Sequence, residues 1–213
     1  WHQAGDWEAV ATLHIAIAAA SDGTHAAQIA WQGPDDAPRL LAEWQLRPAL
    51  LSPAPAQLPA AQQTIDGADF YRELQEGGLD YAPYLEGVHQ LSLLDGGACL
   101  ATLQAPLLRQ DHYPSNVRIE PYVLGALVQV AQYLAKREGR SDWAGYAPLD
   151  IGELALLPGQ VTQVLLHGLR GRADLLASDA TILGRISGIR FGNAAALFME
   201  MMTADKLSEG MVA

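Results

Sequence analysis

His112 and Glu120 stand where they could share a proton. His112 lies in the polar run 111–115 (DHYPS), and Glu120 directly precedes Pro121, where a long apolar pattern opens. An imidazole and a carboxylate held together can act as a general acid–base pair, one taking a proton while the other delivers one. The same two residues also read as ordinary side chains of a surface loop. Tyr81, in the stretch 78–85 (GLDYAPYL), adds a phenol. It can donate a hydrogen bond to a carbonyl oxygen or anchor a loop with its ring in the core. Metal chemistry finds no foothold. The six histidines and single cysteine show neither H-x-x-x-H nor C-x-x-C spacing. A G-x-S-x-G elbow, a P-loop and a dinucleotide fingerprint are absent as well. Cys99, inside a strand pattern, reads as a small buried hydrophobe.

The elements that must position these groups follow from periodicity. In residues 8–17, Leu13, Ile15 and Ile17 share one face and Thr12, His14 and Ala16 the other, the period of a half-buried strand. Residues 26–32 and 40–46 repeat the pattern across turn chemistry at 21–24 and 33–36, which predicts a meander. Residues 51–64 are rich in Pro, Ala and Gln and read as an extended, exposed linker. A short helix is expected over 66–77, ended by Gly77 and Gly78. Strands are expected at 86–94 and 98–105 around the hairpin signal 95–97 (DGG).

The longest helix is expected over 121–137. Pro121 suits its first turn, Lys136 and Arg137 its C-terminal dipole, and Gly139 its end. It is apolar almost all round, so it must be buried on nearly every side. Gly125 and Gln129, four apart, share a face of it. Further strands are expected near 151–157, 161–169, 173–183 and 185–191.

Composition narrows the class. Half of the 213 residues are hydrophobic and 17% are charged, enough to bury a sizeable core. No apolar run reaches the ~18–20 residues of a membrane span. A net charge of −11 argues against nucleic acid and against an acidic membrane surface. No signal peptide is visible, and one cysteine fits a reducing cytosol, so a cytoplasmic location is expected. The opening Trp1-His2-Gln3 lacks an initiator Met and reads as a piece of a longer polypeptide.

Residues 70–88 (FYRELQEGGLDYAPYLEGV) resemble a segment of polyketide synthase dehydratase domains, where Phe70, Tyr71, Leu74, Gly78, Leu79, Tyr81, Pro83 and Val88 fall in register. The chain departs from that pattern at Ala82, where the family has Gly, and just after Pro83. A second landmark, H-P-x-x-L-D-x-x-x-Q, is similar to residues 120–129 (EPYVLGALVQ) through Pro121, Leu124, Ala126 and Gln129. Weaker likeness continues at 146–152, 179–184 and 186–189, so the resemblance covers about residues 65–195. The family's other motif, H-x-x-x-G-x-x-x-x-P, has one partial match at His167 and Gly171, with Leu176 in place of the proline and a strand pattern around it. That match reads as chance.

The resemblance implies an α+β double-hotdog fold, an antiparallel sheet wrapped around a long central helix, with the first hotdog only partly represented. Residues 1–50 would be that part, 51–64 the linker, 65–205 the second hotdog and 206–213 a tail. It implies a channel for an acyl chain along Tyr81, Pro83, Tyr84, Pro121, Leu124, Gly125, Val128 and Gln129. It also implies an acyl carrier protein with its phosphopantetheine arm, a neighbouring ketosynthase and a homodimer formed through a bacterial-type parent synthase; no cofactor is implied in the domain. The family pairs a histidine with an aspartate to remove water; here Gly125 holds the aspartate's position and Glu120 that of the motif's histidine. Glycine can neither take nor give a proton.

Three readings stay open. The first is a non-dehydrating domain that holds a carrier-bound chain and supports a step such as β-branching by Michael addition. The second is a structural spacer. The third is a dehydratase or double-bond isomerase with relocated groups, for which Tyr81, His112 and Glu120 are the candidates.

Overall fold

The computed structural model describes residues 12–19, 24–32, 39–46, 51–105 and 121–193. The chain divides into two units, residues 1–50 and 51–213. The first is the expected meander: β1 (Thr12–Ala19), β2 (His25–Gln32) and β3 (Arg39–Leu46) pair antiparallel in chain order. In the β1–β2 register Leu13 pairs with Trp31, Ile15 with Ile29 and Ile17 with Ala27. Ile17, on the apolar face, is 66% exposed.

The second unit bends a seven-stranded antiparallel sheet around one long helix. Its sequence opens with β4 (Ala61–Asp66), α1 (Gly67–Glu76), β5 (Val88–Leu94) and β6 (Cys99–Leu103). Helix α2 (Pro121–Arg137) follows, with the bounds expected from sequence. Then come β7 (Tyr146–Asp150), β8 (Glu153–Leu156), β9 (Gln163–Leu166), β10 (Arg172–Leu176), β11 (Ile182–Ser187) and β12 (Arg190–Asn193). The sheet order is β4-β5-β6-β9-β10-β11-β8, with β7 and β12 as a separate pair. The expected antiparallel sheet around a central helix is therefore present. Among the described residues no helix is long and apolar enough to cross a membrane.

Both helices form for local reasons. The Asp66 carboxylate accepts the Ala68 N–H at 2.9 Å, capping α1, and Phe70 and Leu74 sit one turn apart on its buried face. At its end Leu79 N–H reaches Leu74 O and Gly78 N–H reaches Gln75 O, with Gly78 at φ 94°. That left-handed position favours glycine. Gly139, at φ 77°, closes α2 in the same way through bonds from Gly139 and Arg140 to Lys136 O and Ala135 O. The inner face of α2 packs Val123, Leu127, Val130 and Tyr133 against Phe70 and Leu74 of α1 and against Val164 and Leu175 of the sheet. Each such side chain, fully buried, contributes roughly 1.5–3 kcal/mol.

Several boundaries differ from expectation. Residues 61–64 of the expected linker belong to β4, which pairs with β5. The rest of that stretch is a strap rather than a free linker. Ala56 N–H bonds Ala180 O, Ile182 N–H bonds Ala54 O, and Leu51 and Ala56 pack on a second apolar cluster of Leu94, Leu165, Leu176 and Ile182. Proline and alanine suit such a strap because it follows no regular ladder.

The strand expected over 173–183 is two strands. Asp179 accepts the Thr181 N–H at 3.0 Å and Ala180 takes φ 63°, so 177–181 turns. Gly188, at φ 66°, likewise splits 185–191 between β11 and β12. Strand β7 lies ahead of the stretch expected at 151–157. The expected tail, 206–213, lies outside the described residues.

Candidate functional site

Helix α2 is buried from Tyr122 to Ala135 except along one strip near its start. Leu124 is 40% exposed, and Gly125 and Val128 are half-buried. A Cβ built on Gly125 would meet no described atom within 4 Å. The other described glycines either take a positive φ or have a neighbour close to where a Cβ would stand; Gly125 alone has neither. A helix-interior glycine costs about 1 kcal/mol relative to alanine, and no packing or backbone requirement among the described residues offsets that. Among the described residues, then, nothing occupies the space beside the Gly125 Cβ position.

Gln129 does not share that open strip. Four residues along a helix advance the face by about 40°, enough to carry its side chain under the loop 82–88. It is 1% exposed, its Oε1 accepts the Tyr71 hydroxyl at 2.9 Å, and its Nε2 donates to Leu85 O at 2.9 Å. The Tyr71 hydroxyl in turn accepts the Val88 N–H at 2.9 Å. A parallel latch lies three residues on. The Tyr81 hydroxyl donates to Gln132 Oε1, and Gln132 Nε2 donates to Ala144 O at 3.0 Å.

The two glutamines therefore tie the loop, α1 and the start of β5 to the central helix. Burial pushes the Tyr81 phenol up to about 12, with the Gln132 bond pulling the other way. Burial also raises Tyr71 far above the ordinary phenol range; the Val88 N–H opposes this and the Glu86 carboxylate adds to it. Both phenols stay protonated near neutrality, with their protons directed inward.

Beside this loop lies an open cleft of about 840 Å³, bordered by Tyr71, Tyr81, Pro83, Glu86, His89 and Gln104. Tyr81 and Pro83 thus sit together, while Leu124, Gly125 and Val128 are not among its described lining. Glu86 also borders the cleft, and the neighbouring Leu85 carbonyl is held by Gln129 on α2. Tyr84 belongs to the 3-10 turn Pro83–Leu85, and Pro121 is the first residue of α2. His112 and Glu120 lie outside the described residues.

His89 was not among the sequence candidates. It occupies a β-bulge: Val88 pairs with Leu103 and Gln90 with Thr102, which leaves His89 without a partner in the ladder. Its signal in the sequence is a break in alternation, since Val88 and Leu91 are both buried with two exposed residues between them. Gln132 and the Tyr71 hydroxyl, both latch members, are likewise outside the sequence-derived candidates.

A second polar cluster lies in β10, where Ala173 and Leu175 face the core and Asp174 the other side of the sheet. Asp174 is 2% exposed and is bonded by His167 Nε2 at 2.8 Å, Arg172 at 2.9 Å and Arg185 Nε at 2.8 Å. Burial alone would raise its carboxyl, but the bonds from Arg185, His167 and Arg172 together hold it below the usual carboxylate range. The partial histidine motif at His167 and Gly171 is the turn of the β9–β10 hairpin, closed by the His167 N–H bonding Arg172 O. Cys99 is buried, and burial pushes its thiol up to about 12, so it is unreactive in the folded chain.

Comparison with known proteins agrees with this architecture. A family model described as the polyketide synthase dehydratase N-terminal domain matches residues 50–196, well over half of the chain. No curated protein matches significantly. Among solved structures, the chain is similar to the dehydratase domain from the CurF module of curacin polyketide synthase, with TM-score 0.65, 20% identity, and coverage of 83% of this chain and 66% of that one. It is similar to a trans-AT dehydratase domain from Brevibacillus brevis, with TM-score 0.69, 18% identity, and coverage of 83% and 67%. It is also similar to an inactive aspartate-to-asparagine mutant of the CurK dehydratase, with TM-score 0.63, 20% identity, and coverage of 84% and 66%. The chain spans about two thirds of the length of these domains, and at such identities the likeness is one of fold.

Proposed function

Because this chain belongs to the polyketide synthase dehydratase family, we propose that it is a dehydratase-like domain of a modular synthase that holds a carrier-bound polyketide chain without dehydrating it. The observation that carries this reading is Gly125. The resemblance puts the family's catalytic aspartate there, and this chain has a glycine with no described atom within 4 Å of its Cβ position. Expelling a β-hydroxyl needs one group to remove the α-proton and another to protonate the leaving oxygen. The CurK relative is inactive with asparagine in place of an aspartate. Glycine removes both the charge and the hydrogen-bonding atoms.

The acyl chain lies along Leu124, Gly125 and Val128, delivered on the phosphopantetheine arm of an acyl carrier protein. The domain supports a step carried out beside it, such as β-branching by Michael addition at a neighbouring ketosynthase within a dimeric, cytoplasmic synthase. Holding a reactive chain in position can itself supply several kcal/mol of a barrier. The test is a reconstituted module with a carrier-bound substrate. Product should persist in Gly125→Ala and be suppressed in Gly125→Phe, whose ring fills the open strip. Unchanged product in a folded Gly125→Phe module would leave the domain a spacer and overturn the reading.

A further inference from the structure

The cleft beside loop 83–86 is lined in part by His89, an exposed residue at a bulge that the surrounding fold holds in place. The bulge leaves His89 unpaired towards β6, and on the other side β4 ends at Asp66, opposite Gln90. Three features hold the bulge. Gly67 packs so closely that a Cβ there would stand 2.5 Å from Val88 O and 2.7 Å from His89 O. The Tyr71 hydroxyl accepts the Val88 N–H, and Gln129 fixes that hydroxyl from the central helix. Bulges of this kind re-aim a side chain, and they cluster beside active sites.

The result is an exposed histidine with no hydrogen-bond partner among the described residues, at the wall of a cleft of about 840 Å³. That volume suits a small acyl thioester. Of the cleft's carboxylates, Asp66 caps α1 and Asp80 accepts the Gln75 amide, whereas Glu86 is a further wall residue.

We propose that His89 is a proton-transfer residue of this domain, acting on the carbon next to the thioester carbonyl of a carrier-delivered acyl group. Its neutral imidazole takes the α-proton, and the C–H electron pair moves onto the carbonyl oxygen as an enolate. The imidazolium then returns a proton to the same carbon. No other bond changes, so no oxidant, reductant or cofactor is required. The inference rests on the reading that this domain receives a carrier-delivered acyl thioester, and it adds this cleft, whose described lining does not include the strip at Gly125, as the place where the thioester end is acted on.

A 2-methyl-3-oxoacyl pantetheine thioester carries one acidified α-hydrogen. Incubated with the domain in D2O, it should gain one deuterium faster than in buffer, read by mass spectrometry. His89→Gln should slow this enzymatic exchange about a hundredfold, in the usual range for losing a general base. Thioester binding, followed by protein NMR, and Tm should stay unchanged. Added imidazole should restore exchange to His89→Gly, which a merely structural role would not allow. Thioester that binds without enhanced exchange, or exchange that survives in His89→Gln, overturns the inference alone. Failure of the thioester to bind the wild-type domain overturns the functional reading as well.

Discussion

Replacing Gly125 by alanine should make the protein more stable. A mid-helix glycine gives up about 0.8–1.0 kcal/mol relative to alanine, because it fixes more backbone freedom on folding. Usually a buried glycine regains that by letting another group come close. Here no described atom lies within 4 Å of the Cβ position, so the added methyl meets no steric opposition. The neighbouring Leu124 is 40% exposed, so the methyl also buries little new surface and adds little beyond the propensity gain. The net expectation is a gain of about 1 kcal/mol, or about 2–4 °C in Tm for a chain of this size. Urea titration and calorimetry on Gly125→Ala read both quantities. A loss of about 1 kcal/mol or more would mean that a group packs against position 125, and the open-strip account would be wrong. Gly125→Phe should be tolerated in folding yet suppress product, which separates space kept for a ligand from space left by loose packing.

Tyr71→Phe strands the Val88 N–H and leaves Gln129 without its donor; it should cost about 1–3 kcal/mol and speed amide exchange over 85–90 by mass spectrometry. Gly67→Ala pushes a methyl into the carbonyls of Val88 and His89; a loss of about 1–3 kcal/mol is expected, together with shifted NMR resonances of His89. For Asp174→Asn the loss should be about 1–2 kcal/mol near neutrality, below the full value of a buried ionic cluster because Arg172 and Arg185 are 47% and 38% exposed. Since the folded Asp174 carboxyl lies below its ordinary value, its contribution is complete above about pH 4 and fades as pH falls through the folded pKa. The wild-type advantage in denaturant titrations should therefore shrink in acid, and an advantage that grows there would contradict the cluster's sign.

Much of the fold was legible because its signals are local. Asp66, Gly77 and Gly78 mark the ends of α1, and Pro121, Lys136, Arg137 and Gly139 those of α2; each acts within a turn or two of itself. The strand count after α2 was less legible. The turn at 177–181 is made by one Asp179 side chain and one left-handed Ala180, and neither interrupts the apolar pattern strongly. The strap escaped because its pairing with residues 180–182 is non-local and irregular.

The site was half legible. Motif register brought Tyr81 and Gly125 to attention, but their partners are tertiary: Gln132 is 51 residues from Tyr81, and Gln129 is 58 from Tyr71. His89 depends on a one-residue slip in the β5–β6 register. Nothing but the broken alternation of Val88 and Leu91 announces that slip in the chain itself.

The central claim is that this dehydratase relative does not dehydrate, and it is tested most directly by following one mass. A carrier-protein-bound 3-hydroxyacyl substrate, incubated with the domain at neutral pH and analysed by intact-protein mass spectrometry, should keep its water through many hours. Its 2-enoyl counterpart should likewise fail to gain one in the reverse direction. Loss of one water from the acyl group, abolished by His89→Gln, His112→Ala or Glu120→Gln, would contradict the account. The elimination chemistry would then have moved from position 125 to another residue instead of being lost.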